Sequence, residues 1–263
     1  MNILITGAAS GIGGAAADFF LSNGHNVYAI DVKKCDVRAN LYGYVADITD
    51  ESSLTAVKED IESQAVKLDA IVCIAGIHTM AALVESEYSR LKRVIDVNLL
   101  GTMLTCRVFH SLLCEKGRVV IVTSEVATYT PMPFNGLYNV SKSALESYAD
   151  ALRQELNLLG QRVVTVRPGA IETPLAASSA TSTEALASTT VLYKKQAKHF
   201  SSLVANFTGT PMSPASLAPV IYKATIRKIP RCSYSKNRNP GLVLLSLLTK
   251  KTQCLIVKFL LNR

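Results

Sequence analysis

Tyr138 and Lys142 are the pair in this 263-residue chain best matched to proton chemistry. In Tyr138-Asn139-Val140-Ser141-Lys142 the i, i+4 spacing puts a phenol and an ammonium on one face of a helix, predicted to run to about Leu159. A free phenol ionises near pH ~10. Work as an acid and base near neutrality needs a shift of roughly 3 units, or about 4 kcal/mol. One cation at about 4 Å supplies roughly that much at an effective dielectric near ~20. Lys142 is therefore expected to lower the Tyr138 pKa. Ser124, just past the apolar run Val119–Val122, offers a hydroxyl for a substrate oxygen, with Thr123 as a fallback. Asn98 lies in an otherwise apolar helical stretch, where such a side chain ordinarily faces solvent or bonds to backbone. A Tyr/Lys pair at this spacing is a weak signal alone and gains weight from the serine upstream.

A second constellation suits a phosphate. Thr6-Gly7-Ala8-Ala9-Ser10-Gly11-Ile12-Gly13 follows an apolar run and opens a helix predicted to reach about Asn23. Glycines there let the backbone turn tightly and approach a pyrophosphate seated on free N–H groups at a helix start. A plain tight turn is the alternative, and the position between strand and helix argues against it. Asp31, 24 residues beyond Gly7, can accept from an adenosine ribose and repels a 2′-phosphate, which favours NAD over NADP. Lys33 and Lys34 soften that repulsion, and Asp31 could simply cap a turn. Asp47 and Ile48 end the next short run and are candidates for a cofactor contact. Thr49 and Asp50 beside them are good helix caps, the bland reading of this stretch.

These residues need a frame, and the chain supplies one. Runs at Ile3–Ile5, Val27–Ile30, Tyr44–Ala46, Ile71–Ala75, Val119–Val122 and Val163–Val166 alternate with helix-length segments. Each ends at Gly, Asp, Ser or Pro-Gly. Near-continuous apolar strands are those covered by helices on both faces. The pattern predicts an α/β fold with a doubly wound parallel sheet, helices on both faces, and ligands beyond the strands' carboxyl ends. Residues 1–240 read as that domain, with a substrate loop at about 175–210. The small-residue stretch from Leu175 to Thr190 could be a mobile loop, a weak helix or a lid. Residues 241–263 read as an apolar, basic tail that packs on the core or forms an amphipathic helix.

Composition excludes several classes. Hydrophobic residues make up 49% and charged residues 18%, which rules out disorder. No uncharged apolar run is long enough for a bilayer span, and nothing near Met1 reads as a secretory leader, so a cytoplasmic location is expected. Six scattered cysteines and four dispersed histidines suggest reduced thiols and no metal site. Residues 1–184 hold all 20 acidic residues and 15 basic ones, whereas residues 185–263 hold 13 basic residues and no acid. Such asymmetry suggests an anionic partner. Nucleic acid is disfavoured, because long apolar blocks interrupt the charge and no reading helix is apparent. Peripheral contact with a membrane is the better expectation.

Together the residues resemble the short-chain dehydrogenases/reductases, in the single-domain branch, over residues 3–174. The resemblance implies a Rossmann-like fold, NAD(P)-dependent interconversion of an alcohol and a ketone or aldehyde, and a catalytic tetrad at Asn98, Ser124, Tyr138 and Lys142. It places the dinucleotide against Gly7, Ser10, Gly11, Ile12, Gly13, Asp31, Asp47, Ile48, Ala75 and Gly76, with Tyr138 and Lys142 touching it too. Pro168, Gly169, Ile171 and Thr173, in Pro168-Gly169-Ala170-Ile171-Glu172-Thr173-Pro174, are implied to hold the nicotinamide end. Asn98 would hold a water in a proton relay. Pairing through helices expected at about Leu99–Cys114 and Tyr138–Leu159 would give a homodimer or homotetramer. Two departures stand out. Cys73-Ile74 occupies the place of two asparagines that brace the family's central sheet, and the Ser124–Tyr138 interval of 14 is one residue longer than the family leads one to expect.

The expected pocket wall, from Glu125 to Phe134 and beyond Pro174, is mostly apolar (Met132, Phe134, Leu137, Leu175, Ala176), so the expected substrate is a small apolar alcohol or ketone. Glu125 is the charged exception and could instead face solvent. A dinucleotide-sensing regulator without turnover is the alternative from another class. An epimerase or dehydratase acting on nucleotide sugars is disfavoured by the short chain.

Overall fold

The computed structural model describes residues 1–36, 38–207 and 209–263. Strands β1 (Asn2–Thr6), β2 (Asn26–Asp31), β3 (Leu41–Val45), β4 (Leu68–Cys73), β5 (Leu113–Val122), β6 (Arg162–Pro168) and β7 (Ser233–Lys236) form one sheet in the order β3-β2-β1-β4-β5-β6-β7. The pairings are parallel throughout. The chain winds outward from β1 to β3, then crosses back to lay β4 on the other side of β1. Such a reversal opens a crevice beyond the strand ends. Thr6 is the last paired residue of β1 on both sides, opposite Ile30 and Cys73.

Alternation along the strands divides the core between the two faces. Leu4, Ile71 and Ile121 point to one face, where they meet α2 (Glu51–Ser63), α4 (Gly101–Phe109) and α5 (Gly136–Leu158). Ile3, Ile5 and Val72 point to the other, under α1 (Gly11–Ser22) and α8 (Ala218–Ile226). A separate cluster joins Met80 and Phe134 to Leu186 of α6 (Pro174–Thr189), Phe200 of α7 (Lys194–Phe207) and Leu261 of α10 (Lys250–Asn262). It forms a cap beside the carboxyl rim of the sheet. Arg118 closes α8 by donating to the carbonyls of Ala224 (2.7 Å), Thr225 and Arg227 (2.9 Å), as a cation at a helix C-terminus should.

Several boundaries differ from the sequence expectation. The helix expected at about Leu99–Cys114 starts earlier and ends earlier. It begins as α3 (Tyr88–Ile95), passes through a π turn at Asp96–Leu100, continues as α4, and yields to β5 at Leu113. β3 starts three residues before the expected run, and its side chains are half exposed because it lies at the sheet edge. β7 has no counterpart in the sequence reading. The tail is broken into α9 (Pro240–Ser246) and α10, with Thr249 capping the second by accepting from Thr252 N–H. For the stretch after Pro174 the helix among the alternatives is the one formed, as α6, with α7 following it.

Glu146 locks α5 to the sheet. It is 8% exposed and accepts from Thr123 (2.8 Å), Thr165 (2.9 Å) and the Arg167 guanidinium. Removing one partner of a buried pair strands the other charge. Glu146→Ala is therefore expected to cost about 3–5 kcal/mol in urea unfolding; a loss below ~1 kcal/mol would show that this carboxylate does not hold the helix.

Candidate functional site

The first turn is built for close approach. Gly7 has a φ of +72°, and a Cβ there would lie 2.8 Å from Ala75 Cα. A Cβ on Gly13 would lie 1.9 Å from the Gly7 carbonyl oxygen, so only glycine lets α1 start against the turn. Ser10 caps α1 in extended backbone, yet its hydroxyl makes no capping bond, and the first turn holds no acid. Among the described residues, the N–H groups of that turn have no side-chain acceptor of their own, which suits an anionic group. Ile12 packs into the core beneath. Asp31, at the end of β2, accepts from Ala9 N–H and Lys33 N–H, both at 3.0 Å. It thus braces the glycine turn from the position where a ribose would be met. These features fit a dinucleotide's pyrophosphate and adenosine ribose.

Asp50 caps α2 by accepting from Ser52 N–H, and Asp47 turns the chain just before it. Asp47 Oδ1 accepts from the Thr49 N–H (2.9 Å) and hydroxyl (2.8 Å), while the side chain stays exposed. The Ile48 side chain is core, and Gly101 has no Cβ because one would lie 2.8 Å from Ile48 Cδ1. At the crossover the Thr6 hydroxyl accepts from the N–H groups of Ile74 (3.2 Å) and Ala75 (3.3 Å). Cys73 Sγ lies 3.9 Å from Cys106 Sγ in the core. A backbone brace from Thr6 and thiol packing stand here, at the position of Cys73-Ile74.

Tyr138 and Lys142 lie on the inner face of α5, and Ser124 caps the 3-10 turn Glu125–Thr128 immediately after β5. Ser124 acts on the Tyr138 phenol by favouring its ionised form. Lys142 is 3% exposed, donates to the Val122 carbonyl at 3.2 Å, and holds its Nζ 5.8 Å from the Tyr138 ring centroid. Burial dominates both groups. It pushes the Tyr138 phenol up to about 12, offset in part by Ser124, and the Lys142 amine down to about 8. The expectation that Lys142 brings the phenol toward neutrality is corrected: loss of water around the phenol dominates and raises its pKa. Thr123, the fallback for Ser124, is committed to Glu146 and the Val166 carbonyl.

Asn98 is fully buried inside the π turn, neither solvent-facing nor free to swing. Its Oδ1 accepts from Ile77 N–H (2.8 Å), and its Nδ2 donates to Ile77 O and to Ser141 Oγ (both 2.9 Å). It ties the loop after β4 to α5. π turns of this kind recur where a side chain must be re-aimed. A Cβ on Gly76 would sit 3.2 Å from Asn98 Oδ1 and 3.5 Å from Lys142 Nζ, so this backbone passes directly over the amine.

His78, passed over in the sequence as one of four dispersed histidines, belongs to the site. Its ring lies 4.3 Å from that of Tyr138, and its Nε2 pairs with Asn135 Oδ1 at 2.9 Å. Its Nδ1 is buried with no partner among the described residues, and burial lowers its pKa. Its place two residues beyond Gly76, after a strand end, was the available signal. Glu125, expected in the pocket wall or in solvent, does not face solvent. It is 8% exposed and accepts from Asn239 N–H at 2.7 Å, and burial raises its pKa.

Pro168 ends β6, and Gly169 N–H donates to the Lys236 carbonyl of β7 at 2.8 Å. A Cβ on Gly169 would lie 1.8 Å from the Asn237 carbonyl oxygen. Ile171 is buried in a bridge to Met212, and Thr173 caps α6 by accepting from Ala176 N–H at 3.2 Å. Gly11, at a φ of +55°, faces Thr173 across the crevice, its virtual Cβ 3.3 Å from Thr173 Cγ2.

Fold and site define a doubly wound, Rossmann-like α/β protein with a half-buried phenol and a buried amine at the sheet's carboxyl rim. A family model for short chain dehydrogenases matches residues 1–184. The chain belongs to that family of oxidoreductases. It is 30% identical over 189 residues to a probable oxidoreductase, EphD, of Mycobacterium bovis, covering 67% of this chain and 32% of that one. It is 33% identical over 180 residues to the NADPH-dependent 1-acyldihydroxyacetone phosphate reductase of Schizosaccharomyces pombe, covering 66% of this chain and 60% of the relative. The match to the 3-ketodihydrosphingosine reductase of Bacteroides thetaiotaomicron is 28% over 173 residues, 65% and 64% of the two chains. This chain thus spans less than two thirds of each relative's length. Among solved structures, the 3-ketoacyl-(acyl-carrier-protein) reductase of Brucella melitensis, complexed with NADH, has a TM-score of 0.73 at 23% identity over 89% of this chain and 95% of that one. A short chain dehydrogenase of Burkholderia cenocepacia in complex with NADP has a TM-score of 0.74 at 19% identity over 96% and 94%. These two likenesses are of fold.

The pair has a pH signature. With the amine lowered from 10.5 to about 8, the unfolded chain holds more protons across that interval, so stability from this group rises with pH there. With the phenol raised from 10.0 to about 12, stability from Tyr138 falls as pH climbs above 10. The joint contribution is expected to peak near pH ~10. Lys142→Met should lose the rise and gain about 1–3 kcal/mol at pH 7 in denaturant melts. A variant less stable than wild type at pH 7 would contradict a buried, costly ammonium.

Proposed function

We propose that the protein is an NAD-preferring oxidoreductase that interconverts an alcohol and a ketone on an apolar small molecule. The observation that carries this reading is the convergence of Ser124, Tyr138 and Lys142 at the carboxyl rim, next to the β1/β4 crossover. A nicotinamide dinucleotide, when bound, accepts or supplies the hydride. Gly7, Ser10, Gly11, Ile12 and Gly13 would hold its pyrophosphate, Asp31 its adenosine ribose, Asp47 and Ile48 the adenine side. Ala75, Gly76, Pro168, Gly169, Ile171 and Thr173 would line its nicotinamide half. Tyr138 Oη holds the proton exchanged with the substrate oxygen, and Ser124 orients that oxygen. Lys142 offers a cation and a donor to ribose hydroxyls, and Asn98 fixes the loop over it.

The apolar cap formed by Met80, Phe134, Leu186 and Phe200 supports an apolar substrate. Relatives named for 1-acyldihydroxyacetone phosphate and 3-ketodihydrosphingosine reduction point the same way. Peripheral membrane contact through the basic C-terminal third suits such a substrate. Leu100, Met103 and Val140, exposed on the outer side of the π turn, α4 and α5, support homodimers or homotetramers paired through those helices. A regulator without turnover draws no specific support from the site.

Tyr138→Phe is expected to retain NADH binding, read as enhanced, blue-shifted nicotinamide fluorescence, and to lower ketone turnover by about 10³-fold or more. Binding with no Tyr138-dependent turnover across a ketone and alcohol panel would assign the protein to sensing instead. Asp31→Ser removes the repulsion of a 2′-phosphate, and should raise the NADPH/NADH ratio of kcat/KM by roughly tenfold or more. An unchanged ratio would remove Asp31 from cofactor choice.

A further inference from the structure

The outward faces of the C-terminal helices take no part in the site, and they combine features that rarely coexist by accident. On α10, Lys251, Leu255, Lys258 and Phe259 recur at i, i+4, i+7 and i+8, which places them on one face. Leu255 and Phe259 are each 58% exposed, whereas Gln253 and Leu261 on the opposite side are buried. Arg263 places its guanidinium 4.1 Å from the Phe259 ring centroid. On α9 and just after it, Leu244 and Leu247 are 67% and 77% exposed, immediately ahead of Lys250 and Lys251. α7 extends the surface: Lys195 donates to the Asn262 carbonyl at 3.3 Å, and Lys194 and Lys198 are exposed beside it. From residue 185 to residue 263 there is no Asp or Glu.

We propose that α9, α10 and the start of α7 form a docking surface for an anionic lipid bilayer. The charge selects the occupant. A protein partner or second copy would have to match the seven Lys and Arg of residues 194–198 and 250–263, which no acid of residues 185–263 accompanies, on a face where large apolar side chains also stand in water. An anionic leaflet meets both demands, because lysine stems lie along the interface while leucine and phenylalanine enter it. At 13 residues α10 is about 20 Å long, and no helix among the described residues is long and apolar enough to cross a membrane. The surface therefore lies in the interface plane.

Docking is joined to the candidate site by packing. Leu261 and Val257, on the inner side of α10, belong to the same cluster as Phe200, Leu186, Phe134 and Met80, which cap the rim near Tyr138. A protein seated on its α10 face would hold that cap at the bilayer from which an apolar ketone must be drawn. This purpose rests on the proposed oxidoreductase reading, whereas the docking is measured without turnover, so the two can fail separately.

The test is co-sedimentation of the full chain with vesicles of phosphatidylcholine alone or with ~30% phosphatidylserine. Binding is expected only to the anionic vesicles at ~0.05 M salt, and at least about tenfold weaker at ~0.5 M. Each Lys at an anionic surface is worth about fivefold in partition, so Lys251→Glu with Lys258→Glu should cost on the order of a hundredfold. Leu247→Ser with Phe259→Ser should cost about tenfold. All four substitutions are exposed, and unchanged thermal melting confirms that the variants are folded. The proposal is overturned by absent binding, by equal binding to both vesicle types, or by variants that bind like wild type. Dissociation of an oligomer by Phe259→Ser assigns the face to a second copy, and tighter binding to duplex DNA than to vesicles assigns it to nucleic acid; either outcome also overturns it.

Discussion

The structure turns on an unfavourable burial. An ammonium at Lys142 is held almost out of water against the Val122 carbonyl at 3.2 Å, beside a half-buried phenol. Nothing about folding asks for this. A methionine of similar shape would fill the space without the desolvation cost. The pair is retained where the sheet opens, and the elements around it are arranged to keep it there. Glu146, one turn beyond Lys142 on α5, anchors the helix to β6 through Thr165 and Arg167. Asn98 leaves the regular helix, in a π turn, to hold the backbone that passes over the amine.

Sheet topology explains why this burial is useful. The reversal between β1 and β4 leaves the ends of those strands flanked by loops rather than covered by a connection. Glycines at 7 and 13 draw the first turn and α1 in against Ala75, and the Thr6 hydroxyl ties the two strand ends together. The site is therefore walled by backbone on one side and by the phenol–amine pair on the other. Burial sets the protonation states in the free protein, with the phenol neutral and the amine charged at neutral pH. A positive charge brought against the phenol would oppose the desolvation that now holds its proton.

Much of this was legible in the residues themselves. The strands that bury both faces announce themselves as runs such as Ile71-Val72-Cys73-Ile74, and Tyr138 and Lys142 share a helix face because four residues make about one turn. β7 was hidden because Ser233-Tyr234-Ser235-Lys236 lies at the sheet edge, where no double burial demands an apolar run. The π turn at Asp96–Leu100 reflects what Asn98 meets across space, at Ile77 and Ser141. Glu125 finds its partner 114 residues away at Asn239, a distance no local pattern reports. The sign of the Tyr138 shift was missed for the same kind of reason: a neighbouring lysine is visible in sequence, whereas the loss of water around the phenol is not.

The account's central claim is that desolvation governs the phenol until a cationic group arrives. Titration of Tyr138 by NMR, with carbon-13 in the tyrosine rings and Tyr138→Phe to assign the resonance, measures this directly. The account predicts a pKa near 12 in the free protein, falling by ~2 units or more once oxidised dinucleotide is bound. A phenol already titrating at or below about 10 in the free protein, or one indifferent to the dinucleotide, would contradict it.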